Sequence, residues 1–219
     1  MKKFSFFKIP KDLNEEIKKL KTKPASFWEK KGEKSMLNLF EYTYKNVPAY
    51  KKFLKKHKVV PSKIKSIEDF SHLPVVTRDN YLRKYKYIDL FSKKDFFHAT
   101  TFSATSGSTG EPFYFPRDGM HDSEYEYLAE IFLKNQFEID KKKTLAVMGF
   151  ALGIWIGGIF TYKVLNKISE KGYDFTVIPV GTNRDQFLSA VLKFGKYYDQ
   201  VILMGYPPFI KDVLDEWQI

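Results

Sequence analysis

With 219 residues, 43% of them hydrophobic and 17% aromatic, the chain carries enough apolar side chain for one large domain or two small ones. The absence of cysteine excludes a disulfide framework and thiolate metal chemistry, and His57, His72, His98 and His121 show no ligand spacing, so no metal site is expected. The net charge of +11 comes from the first hundred residues, which hold 25 Lys/Arg against 11 Asp/Glu; residues 101–219 hold 12 against 15. Arginine is confined to Arg78, Arg83, Arg117 and Arg184, too few for a protein that reads nucleic acid through bidentate contacts, although a general attraction for anions such as nucleotides remains.

Residues 1–97 read as a helical, basic region. A short charged helix is predicted over Leu13 to Leu20, and a longer one from Phe27 to about Asn46 with Ser26 as its cap. Pro48 separates it from a third helix over Ala49 to His57. Ser66 opens a single turn, and Thr77 caps the segment that follows it. The start Met1-Lys-Lys-Phe-Ser-Phe-Phe-Lys lacks the apolar length of a signal peptide, and no uncharged apolar run is fit to span a membrane, so a cytoplasmic protein is expected.

Residues 98–219 change to alternating strand and helix. Strands are predicted over His98 to Ala104, Phe113 to Phe115, Thr144 to Phe150, Phe175 to Val180 and Gln200 to Met204. Helices are predicted from Asp118 as cap to about Gln136, then over Trp155 to Ile168, Asp185 to Phe194 and Pro207 to Trp217. Strands separated by helices of this length form βαβ units, so the expected class is α/β with a mainly parallel sheet behind a helical N-terminal region. Ligands of such sheets bind beyond the C-terminal strand ends, here the loops at 150–158, 180–183 and 205–208.

Thr105-Ser-Gly-Ser-Thr-Gly-Glu-Pro lies between the first two strands. Glycine lets backbone N–H groups approach a ligand closely, and the hydroxyls of Thr105, Ser106, Ser108 and Thr109 add donors without bulk. Such a concave set of donors suits a polyphosphate, with Gly107 and Gly110 shaping the backbone, but the Gly-Lys-Ser/Thr ending of a Walker A loop is missing. The same composition also makes a plain polar turn.

Taken in order, four stretches resemble the phenylacetate–CoA ligase branch of the adenylate-forming enzymes. They are Lys45-Asn-Val-Pro-Ala-Tyr-Lys-Lys-Phe; Ser66-Ile-Glu-Asp-Phe-Ser-His-Leu-Pro-Val-Val-Thr-Arg-Asp-Asn; the loop Thr105 to Pro112; and Gly149 to Gly158 followed by Val177-Ile-Pro-Val-Gly-Thr-Asn-Arg-Asp-Gln. The resemblance runs along nearly the whole chain and favours the phosphate reading of the loop. It implies the N-terminal half of an enzyme that joins a carboxylic acid to AMP at the expense of ATP and then passes the acyl group to CoA. ATP, Mg²⁺ and CoA are the implied cofactors, with Thr105 to Gly110 on the nucleotide phosphates.

The resemblance also sets Phe150, Trp155, Gly157 and Tyr206 beside the acid. Trp155 and Tyr206 are equally readable as packing aromatics. Relatives often carry lysine where this chain has Glu111, and their later motifs, including the ribose-binding carboxylate and the catalytic lysine, do not occur before Ile219. No catalytic residue is therefore assigned. The expectation is a truncated architecture, completed by a second chain or a missing C-terminal half and open to self-association. A nucleotide- or partner-binding fragment without turnover, and an acyl-protein synthetase that uses a protein thiol, stand as alternatives.

Overall fold

The computed structural model describes residues 9–10, 12–92, 96–105 and 111–216, and these divide into two compact units, Met1–Thr100 and Thr101–Ile219. The first unit contains helices α1 (Leu13–Thr22), α2 (Ala25–Asn46) and α3 (Pro48–Lys56), followed by short helical turns. Asp12 caps α1 by accepting the N–H groups of Asn14 and Glu15. The expected Ser26 cap is not used: α2 starts at Ala25 behind Pro24, whose fixed φ enters the helix without a side-chain bond. Ser66 is likewise not the cap: the short turn Glu68–His72 is entered from Ile67 without a side-chain cap bond, while the Asp69 carboxylate reaches back to accept the N–H groups of Lys65 and Ser66. Thr77 caps as expected, in a reciprocal box with Asn80. Aromatic rings fill this core; Phe53 meets Tyr81 edge-on with centroids 5.3 Å apart, and Phe40 meets Phe70 at 5.6 Å.

The second unit opens with an antiparallel hairpin, β1 (Thr101–Ala104) with β2 (Tyr114–Arg117), in the register Thr101 with Arg117 and Ala104 with Tyr114. The strand predicted from His98 thus starts three residues later. Its partner ends at Arg117 because Asp118 turns the chain into helix α4 (Gly119–Phe137), which leaves residues 98–100 without a strand to pair with. Asp118 accepts the N–H groups of Met120 and His121, both at 3.0 Å, as the capping reading requires.

The parallel sheet follows, in the order β4 (Phe175–Pro179), β3 (Thr144–Gly149), β5 (Gln200–Gly205). Helix α5 (Thr161–Ser169) links β3 to β4, α6 (Arg184–Phe194) links β4 to β5, and α7 (Pro207–Glu216) follows β5. All six residues of β3 are buried. Successive side chains of a strand point to opposite faces. Accordingly Ala146 and Met148 pack with Leu133, Val164, Leu165 and Ile168, and Leu145 and Val147 pack with Phe187, Val191 and Val213. Steps from β3 to β4 and from β4 to β5 run in opposite directions, so right-handed crossovers require their helices on opposite faces, as observed. The fold is α/β, with a helical N-terminal region ahead of a parallel βαβ sheet.

Charge joins α4 to α5. Asp122, Glu126 and Glu130 recur every four residues along one helix and face Lys163, Lys167 and Lys171 at the same interval. Lys163 pairs with Asp122; Lys171 reaches Glu126 at 2.7 Å and Glu130 at 2.6 Å, and the Tyr173 hydroxyl donates to Glu130 at 2.8 Å. Asp122 and Glu130 are each only 3% exposed, so each requires its partner. Burial by itself would pull the Lys171 ammonium down, but the two carboxylates outweigh it and hold the group above the usual lysine range.

Replacing Asp118 by alanine is expected to lower stability by about 1 kcal/mol in urea unfolding, the usual worth of an N-cap. Partial burial would raise the Asp118 carboxyl, yet the His121 and Met120 contacts hold it below its ordinary value. A depressed carboxylate contributes fully above its unfolded value near about 3.9, and the contribution disappears as pH falls through the lower folded value. The difference between the parent and Asp118→Ala should therefore shrink only in that acid range.

Candidate functional site

The C-terminal ends of β3, β4 and β5 form one edge, because the three strands are parallel. After β4 the chain bends back, and the Gly181 N–H donates to the Met148 carbonyl at 3.1 Å with φ of +79°. Asn183 then caps α6 by accepting the Gln186 N–H at 2.9 Å. Gly149, the last residue of β3, permits a close approach: a Cβ there would lie 2.4 Å from the Phe209 ring of α7.

The hairpin meets this edge through its backbone. The Ala104 N–H donates to the Ile154 carbonyl at 2.9 Å, and Ala104 bridges Trp155 in parallel. From β2, the Arg117 guanidinium lies 3.7 Å from the centroid of Phe160, which also stacks on Tyr125 at 4.9 Å. Burial lowers the Arg117 pKa against the pull of Asp122, Tyr125 and Asp118. The neck of the Thr105-to-Pro112 loop is closed by Thr105, whose N–H donates to the Phe113 carbonyl while its hydroxyl accepts the Phe113 N–H, both at 3.0 Å. Ser106, Gly107, Ser108, Thr109 and Gly110 lie outside the described residues. Glu111, at the far side of the loop, is exposed.

The four residues expected around the acid are not all brought together. Trp155 is half-buried and lines a cavity of about 300 Å³ with Phe102, Ile154, Phe160, Asp122 and Lys163. Phe150 instead packs against the core of the α4–α5 face, and Gly157 lies over its ring. Tyr206, just past β5, is 66% exposed. The helix expected from Trp155 begins as a wide turn over Ile156–Phe160 and becomes regular only in α5. Asp122 and Lys163 are cavity-lining residues that motif reading passed over. Their signal was the matched four-residue spacing of acids in α4 and lysines in and after α5.

No protein-family model matches the chain, and no curated protein does. Among solved structures it is similar to an open conformation of 2-hydroxyisobutyryl-CoA ligase in complex with 2-HIB-AMP and CoA, at a TM-score of 0.55 and 15% sequence identity. The two share a fold. The match covers 79% of this chain and 36% of the ligase, so the chain spans about a third of that neighbour's length. Among the described residues, no helix is long and apolar enough to cross a membrane.

The glycine pair separates packing from ligand space. A Cβ at Gly158 would stand 2.0 Å from the Ala151 carbonyl oxygen, whereas one at Gly157 would meet Phe150 at an ordinary 3.6 Å. Gly158→Ala is expected to cost about 1–3 kcal/mol in chemical unfolding through overpacking, with Gly157→Ala well below it. Equal costs would contradict this placement of the loop.

Proposed function

We propose that the chain supplies the phosphate-loop part of an adenylate-forming enzyme, of the phenylacetate–CoA ligase branch, which activates a carboxylic acid with ATP for transfer to CoA. The observation that carries the reading is the backbone bond from Ala104 to Ile154. It sets the mouth of a Gly/Ser/Thr loop beside the loop that leaves the central strand, next to an apolar cavity. A likeness of fold to a ligase bound to 2-HIB-AMP and CoA supports the same reading.

In this reading the N–H groups of residues 107–110, with the hydroxyls of Ser106, Ser108 and Thr109, hold the β- and γ-phosphates of ATP. The acid's carboxylate oxygen attacks the α-phosphorus in line, an acyl–O–P bond forms, and the P–O bond to pyrophosphate breaks. The thiol of CoA then attacks the acyl carbon, giving the thioester and releasing AMP. Thr105 and Phe113 keep the loop's neck closed during both steps. In this reading Mg²⁺ arrives with the nucleotide and would share the charge of its phosphates. The ribose carboxylate and catalytic lysine of the family come, in this reading, from a further segment or a second chain. ATP and CoA are cytoplasmic reactants, and we assign the protein to that compartment.

The test is ATP binding by calorimetry together with ATP–pyrophosphate exchange over a panel of aryl and fatty acids. Gly107→Val should weaken ATP at least about tenfold, because a side chain blocks the phosphates' approach to the backbone. Exchange should appear only when an acid is present. No ATP binding, or binding indifferent to Gly107→Val, would sink the reading. Binding without exchange under any pairing of chains would leave a nucleotide-binding module.

A further inference from the structure

The Lys163–Asp122 pair is the one charged feature among the described residues that line the cavity, whose remaining walls include Phe102, Ile154, Trp155 and Phe160. Its position along the hairpin is informative. The phosphate loop leaves β1 after Ala104, whereas Asp122 belongs to the first turns of α4, which starts directly after Arg117. Arg117 pairs in register with Thr101, the residue of β1 furthest from the loop. At about 3.3 Å per residue, Thr101 lies some 13 Å from Thr105, so the cavity runs along β1 with its ion pair at the end remote from the loop. Asp122 has only 4% of its side chain exposed and Lys163 has 41%. Asp122 thus anchors the ammonium, and Lys163 presents its remaining N–H donors outward.

We propose that this cavity receives the body of the carboxylic acid, and that Lys163, anchored by Asp122, selects aromatic or short aliphatic acids carrying a hydroxyl or carbonyl oxygen at the end far from the carboxylate. The proposal rests on the adenylate-forming reading, which puts the carboxylate at the phosphate-loop end. A volume of about 300 Å³ is at the small end for a ligand pocket and suits a single ring or a short chain. An acid with a plain hydrocarbon tip would displace water from Lys163 and return nothing, whereas a distal oxygen accepts a charge-assisted hydrogen bond. The discrimination is large because the site is built around a polar group that the wrong acid leaves unsatisfied.

The experiment measures Kd by ligand-observed NMR on the full chain for two matched pairs, phenylacetate with 4-hydroxyphenylacetate and benzoate with 4-hydroxybenzoate. The hydroxylated member should bind about tenfold tighter in each pair. Lys163→Met alone strands a buried carboxylate and risks misfolding, so the informative protein is the double variant Asp122→Asn/Lys163→Met, checked by thermal unfolding. In it the preference should fall to within about threefold. Ile159→Trp, a substitution at a cavity residue 48% exposed, should weaken both members of a pair by about tenfold through filling the space. Equal affinities in the parent, a preference that survives the double variant, or indifference to Ile159→Trp would each overturn the proposal. Exchange driven equally by plain and hydroxylated acids would overturn it while leaving the adenylate-forming reading intact. The expected acid-binding pattern in a chain that binds no ATP would uphold the cavity's preference and remove that reading.

Discussion

Everything in the second unit is positioned from β3. A strand with no solvent face satisfies its backbone only between two other strands and its side chains only between two helical layers. Both demands are met: β4 and β5 flank it, Ala146 and Met148 sit under α4 and α5, and Leu145 and Val147 sit under α6 and α7. Parallel pairing then sends the three exit loops to one edge. The arrangement of the candidate site is thus a consequence of core packing.

On that frame the α4–α5 layer is unusual for its ionic content. Lys163, Lys167 and Lys171 against Asp122, Glu126 and Glu130 set one helix against the other in a single register, because a shift by one residue would turn buried carboxylates away from their partners. Ion pairs of this kind contribute little net stability, since desolvation offsets most of the attraction; what they penalise is the wrong alignment. The same alignment brings Phe160 against Arg117, and so fastens the hairpin to the helix layer. One set of contacts therefore fixes the helix pair, the hairpin and the cavity wall together.

The hairpin links this architecture to the candidate site. Its inner end is hydrogen-bonded to the loop after β3, and its closed neck opens into the Gly/Ser/Thr loop. The mouth of that loop and the cavity are thereby placed on neighbouring strands of backbone.

Much of this was legible from residues alone. The apolar run 144–149 announced a buried strand, Asp118 a helix start, and the strand–helix alternation a parallel sheet whose exit loops share one edge. These are local properties, set by periodicity, capping chemistry and turn residues, so a linear reading captures them. Two caps were misread because the helical turns start one or two residues away from the serines: α2 starts at Ala25 behind Pro24, and the turn Glu68–His72 starts behind Ile67. Four aromatic and glycine positions were grouped by resemblance, yet Phe150 went to the core, Tyr206 to the surface, and Trp155 to the cavity. Which way a side chain turns depends on what packs above it, and neighbours far away in sequence decide that. The sequence by itself determined the order and type of the main elements. Only the tertiary structure paired Ala104 with Ile154 and set Lys163 against Asp122, because those partners are tens of residues apart and meet only once the sheet and its helices have packed.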